Sequence, residues 1–130
     1  MNNNTPSRLS LVVRFLSLLP GLIRSGPTGR FTAGDLLEQT AQSRGEATFI
    51  RFEDRSCSFA EVNAMSNRVA HWALAKGIGR GSVIGLLMEN RPEYLPMWLG
   101  LAKVGAVTAL LNTHLRGDAL AHSLRAANCE

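Results

Sequence analysis

Two carboxylates, Glu89 and Glu93, stand four residues apart in "ENRPE", a spacing that sets both on one face of a helix. Such a pair could divide acid and base work. It could equally complement the positive end of a helix dipole, which is the simpler reading. Asn112, Thr113 and His114 follow a six-residue apolar run, residues 106–111. The carboxyl end of a buried strand is where ligand sites form in open parallel sheets, so these three are the residues to watch. His71, His114 and His122 lack i, i+4 spacing and have no neighbouring cysteine, which argues against a metal site. Cys57 and Cys129 are far apart with no C-x-x-C. Two unpaired thiols fit a reducing compartment.

"GIGRG" at residues 77–81 has the look of a dinucleotide loop. That fingerprint needs a strand before the glycines and a helix after them. Here a helix ends, the chain turns and a strand begins, so Gly77 reads as a helix C-cap. Neither G-x-x-x-x-G-K-[ST] nor G-x-S-x-G occurs. The residues alone therefore assign no catalytic, cofactor-binding or metal-binding position.

The elements around these residues are legible. The run at 83–88 and the run at 106–111 are continuously apolar, as in parallel strands buried on both faces. Between them, Tyr94, Leu95, Met97, Trp98, Leu99, Leu101, Ala102 and Val104 predict a helix that is apolar nearly all round and needs cover. Asn90 and Glu93 suit its cap, with Pro92 in the first turn. Pro96 predicts a kink or a later start. Gly117 and Asp118 open a last helix with Leu120, Leu124 and Ala127 on its buried side.

Upstream, Thr32 and Asp35 can cap a helix over residues 33–43 that ends at Gly45. Thr48, Phe49, Ile50 and Phe52 form a short strand, "EDR" a turn, and residues 56–58 a returning strand. Ser58 and Glu61 make a capping box. The helix it opens carries Val62, Met65, Val69, Trp72 and Ala73 on one face and ends at Gly77. From residue 82 the order is strand, helix, strand, helix, a right-handed crossover with a second helix attached. Two strands cannot cover this much apolar surface. The reading is an incomplete α/β unit, the front part of a larger domain.

At 130 residues, 45% hydrophobic and 18% charged, the composition is globular. The net charge of +4 comes from scattered arginines with 6% aromatics and no basic block, so no nucleic-acid partner is expected. Residues 1–27 form a separate N-terminal helix and linker, with the domain proper over residues 28–130. The apolar stretch from Leu9 to Ile23 is shorter than the roughly 20 residues of a membrane span, and Arg14 lies in its middle. No A-x-A cleavage pattern is present. Ser10, Arg14, Ser17, Gly21 and Arg24 draw one polar stripe along a helix. Such a helix can lie on a bilayer or pack on its own protein. Pro20 ends or kinks it in either case.

The stretch "FEDRSCSFAEVNAMSNRVAHWALAKGIGRGSVIGLLMENRPEYLPMWLGLAKVGAVTALLNTHLRGDALAHSL" resembles the N-terminal region of the adenylate-forming acyl-CoA synthetases. The resemblance covers roughly residues 46–127. General marks of that superfamily are the aromatic strand before "SFAEVN", the glycine turn into a strand, and "NRPE". The stretch from "ENRPEYLPMWLG" through "LLNTHLRGDALAHSL" is most similar to the long-chain and very-long-chain synthetases of the fatty acid transport protein group. The resemblance implies the N-terminal part of the large adenylate-forming domain. For the full-length family it implies ATP, magnesium and coenzyme A as cofactors, with fatty acid and coenzyme A as partners. A fatty acid is activated to an acyl-adenylate and then transferred to coenzyme A. It implies cytoplasmic placement, at the inner face of a membrane if residues 9–23 bind lipid.

The family's phosphate loop, adenine motif, hinge and catalytic lysine all belong to sequence beyond these motifs, so none carries over to a position here. His114 stands where the group usually has Asn, and Pro96 where a small residue is common. The chain is thus expected to be inactive alone. The alternatives are a ligase for another carboxylic acid, a non-catalytic membrane or interaction module, and a truncated frame with no function.

Overall fold

A computed structural model describes residues 31–129. The predicted N-terminal helix and linker, residues 1–27, lie outside the described residues.

Helix α1 (Ala33–Arg44) starts on a capping box. Thr32 Oγ1 accepts from the Asp35 amide at 3.2 Å, and the Asp35 carboxylate accepts from the Thr32 amide at 2.6 Å. Two groups that the first turn leaves without helical partners are satisfied this way. Strands β1 (Thr48–Phe52) and β2 (Arg55–Ser58) pair antiparallel across a two-residue turn, with Glu53 at φ 50°. Ser58 ends β2 and caps α2 (Phe59–Ala75), again reciprocally with Glu61. One residue thus ends a strand and starts a helix.

Strands β3 (Val83–Leu86) and β4 (Val107–Leu110) pair parallel, Val83 opposite Val107 and Leu86 opposite Leu110. Helix α3 (Tyr94–Lys103) is the crossover, and α4 (Gly117–Ala126) follows β4. The hairpin and the parallel pair are separate two-stranded sheets. Three helix ends share one device. After α2, Gly77 (φ 75°) and Ile78 donate back to Leu74 and Ala73. After α3, Gly105 (φ 77°) and Ala106 donate back to Ala102 and Leu101. After α4, Asn128 (φ 53°) and Cys129 do the same to Arg125 and Leu124. In each the left-handed residue lets the chain double back onto the last turn. At the first two ends that fold-back builds the core. Ala73, Leu101 and Ala106 are buried together, with Ile78, Val69, Val104 and Ile84 packed around them.

A second cluster of Leu37, Cys57, Val62 and Leu99 joins α1, the hairpin, α2 and α3, with the rings of Phe49 and Phe59 4.6 Å apart beside it. Ile84 reaches the α2–α3 cluster, so one sheet face looks to those helices. A Cβ on Gly85 would meet Leu124 and Cys129 at 3.1 and 3.3 Å, so α4 lies on the opposite face. Helices on both faces of parallel strands are the α/β layering expected from the sequence.

Several expectations need correction. The buried face of α2 runs through Val62, Ser66, Ala70 and Ala73, while Trp72 is 48% exposed. The stripe is rotated because α3 approaches α2 at Gly100. A Cβ there would stand 2.5 Å from Val69 Cβ and 2.6 Å from the Ser66 carbonyl oxygen. Ser66 is small enough to sit under that crossing, and its hydroxyl donates to the Val62 carbonyl at 2.8 Å. Helix α3 begins at Tyr94, later than a cap at Asn90 with Pro92 in the first turn would place it, so Pro92 precedes the helix and Pro96 lies inside it. Pro96 is the helix's third residue, where an amide would have no helical acceptor anyway. The strands are shorter than the apolar runs, and Val107 and Leu110 are 57% and 52% exposed, so β4 is not buried on both faces.

Candidate functional site

The carboxyl ends of β3 and β4 lie side by side because the strands are parallel and in register. The Leu111 amide donates to the Leu86 carbonyl at 3.0 Å, carrying the ladder one step past β4. The chain then turns tightly. Asn112 Oδ1 accepts from the His114 amide at 2.9 Å, an Asx turn. The Asn112 carbonyl accepts from Leu115 at 3.1 Å. Arg116 folds over the turn and donates to the carbonyls of Thr113 and Leu115. The residues singled out from sequence, Asn112, Thr113 and His114, are thus held by local bonds.

They line one wall of a groove of about 510 Å³ whose other wall is Met88, Glu89, Asn90 and Tyr94. A second groove of about 420 Å³ lies on the hairpin side of the 88–90 segment and includes Phe52, Arg55, Arg91 and Glu93. Glu89 lines both grooves.

The two carboxylates do not form an acid–base pair. Arg91 Nε donates to Glu93 Oε2 at 2.8 Å, and Arg55 from β2 reaches Glu93 Oε1 at 3.4 Å. The Arg91 hydrogen bond, helped by the Glu93 backbone amide and by both guanidinium charges, holds this carboxyl below the usual glutamate range. A general acid needs the opposite shift. Glu93 precedes α3 but makes no side-chain cap bond, so the capping expectation for Asn90 and Glu93 is also corrected. Its part is to tie the hairpin to the start of α3. Arg55 gave no sign of this in the sequence, because the partners are 38 residues apart.

The glycine turn 77–81 sits at the amino end of β3, opposite the groove, with the Gly79 amide donating to Ser82 Oγ at 3.3 Å. His71 lies on α2, His122 on α4 and His114 in the turn. Among the described residues no three His, Cys, Asp or Glu side chains gather in one place. The groove lining contains one carboxylate and no lysine or arginine. That set does not fit a triphosphate, which needs cationic or amide-rich walls, nor a magnesium ion with several oxygen ligands. What it offers is one carboxylate and several uncharged hydrogen-bonding groups beside the apolar side chains of Met88 and Leu111.

A family model for the AMP-binding enzyme matches residues 37–130. A medium/long-chain-fatty-acid–CoA ligase, FadD6 of Mycobacterium tuberculosis, is 33% identical over 118 residues, which is 85% of this chain and 20% of that protein. The mouse long-chain fatty acid transport protein 6 is 42% identical over 83 residues, 63% of this chain and 13% of that protein. Among solved structures, the inhibitor-bound N-terminal domain of FACL13 from Mycobacterium tuberculosis superposes with a TM-score of 0.70 at 30% identity. The match covers 75% of this chain and 25% of that one. The chain spans a fifth or less of the length of these curated relatives.

Proposed function

Because the chain belongs to the AMP-binding enzyme family and makes up a fragment of its domain, we propose that it is the N-terminal portion of a long-chain fatty acid–CoA ligase. The whole enzyme would join a fatty acid carboxylate to the α-phosphorus of ATP, releasing pyrophosphate, and the coenzyme A thiol would then take the acyl group with release of AMP. ATP, magnesium and coenzyme A would be held by parts of the enzyme outside residues 31–129. The observation that carries this reading is the FadD6 match over 85% of the chain. The share of the work done by these residues is positioning. The β3–α3–β4 crossover brings the 88–90 segment and the Asn112 turn to one end of the sheet, where they would form part of the wall of the ligand crevice.

The test is a graft. Residues 32–129 replace the matched segment of FadD6, and ATP–pyrophosphate exchange is measured with palmitate and with an aryl acid. Exchange with palmitate within about tenfold of the parent, a penalty of roughly 1.4 kcal/mol, supports the reading. A folded graft without exchange overturns it. The ungrafted 130-residue chain is expected to show none above blank.

A second part of the proposal concerns the membrane. The first 30 residues hold four arginines and no acidic residue, while the remaining 100 balance ten basic against ten acidic side chains. All of the net charge therefore lies in the first 30 residues, with Arg14 inside the apolar stretch from Leu9 to Ile23 and Arg8 and Arg24 at its two ends. A cationic, apolar segment of this kind suits the inner, anionic leaflet of a membrane and a cytoplasmic protein resting on it. Among the described residues no helix is long and apolar enough to cross a bilayer. The full chain is expected to pellet with anionic vesicles at low salt. An Arg14→Glu, Arg24→Glu variant should weaken this at least twentyfold, since each cation near the surface contributes about 1 kcal/mol. Equal pelleting of both proteins would remove the segment from the account.

A further inference from the structure

We draw no further inference here: the strongest candidate, the apolar cavity of about 270 Å³ between α1, the β1–β2 hairpin, the start of α2 and α3 lined by Leu36, Leu37, Phe49, Phe59 and Leu99, carries nothing, because nothing in the structure shows what covers it.

Discussion

Gly100 is the residue on which the helix packing turns. Glycine inside a helix is ordinarily a loss, yet here the missing side chain lets α3 close on α2. Gly100→Ala places a methyl group against the backbone oxygen of Ser66 as well as the Val69 side chain. Backbone cannot swing aside, so the variant should lose about 1–3 kcal/mol. Thermal unfolding followed by circular dichroism should show a drop of several degrees; an unchanged midpoint would mean the helices do not meet there. The rotated stripe on α2 gives a companion test. Leu101→Ala, at a fully buried site, should cost about 2–5 kcal/mol. Trp72→Ala should cost much less, despite removing a larger side chain, and the denaturation midpoints of the two variants read this directly. Periodicity alone favoured Trp72 because it registers hydrophobicity and not closeness of approach. The small residues that set the approach, Ser66 and Gly100, carry no hydrophobic signal.

Local chemistry was readable at the starts of α1 and α2 and unreadable between elements. The Thr32–Asp35 and Ser58–Glu61 boxes stand where the sequence puts them, because both partners lie within one turn. Ser58→Ala should cost about 1 kcal/mol by removing the acceptor for the Glu61 amide, measurable by denaturant titration. The residues of the groove at the carboxyl ends of β3 and β4 were legible by the same logic, since strand order decides where those ends go. The role of Glu93 was not, because it depends on Arg55 of a hairpin distant in sequence. Its depressed pKa fixes the direction of a pH effect. The Glu93 carboxylate favours the folded state above the ordinary glutamate range, and that contribution fades as pH falls through its lowered folded value. Comparing the chain with Glu93→Gln at about pH 7 and about pH 3 should show a larger difference at the higher pH. Because both arginines are exposed, added salt should shrink even that difference.

At the scale of the whole molecule, the interior is uneven. The α1–α2–α3 layer encloses both buried clusters, and Lys103, with a side chain only 9% exposed, closes it by pairing with Glu38 at 2.9 Å. Helix α4 has no buried residue, although Leu124 reaches Gly85. Opening free energy follows buried apolar contact. Amides of α4 should therefore exchange with solvent well before those of α2 and α3, as hydrogen-exchange mass spectrometry would show; uniform protection would contradict this layering. The same unevenness governs β4. Val107 and Leu110 point to opposite faces of the strand, and both are more than half exposed. Parallel strands are ordinarily covered on both faces, so these two side chains add little to the fold described here. Val107→Thr with Leu110→Thr should leave the unfolding midpoint of the chain nearly unchanged and raise its soluble yield by removing exposed apolar area. In the FadD6 graft, where the rest of the domain is present, the same pair should lower stability by more than about 1 kcal/mol. A variant equally silent in both settings would show that β4 stays uncovered in the larger enzyme. A variant that destabilises the short chain would show that the exposed residues already support its fold.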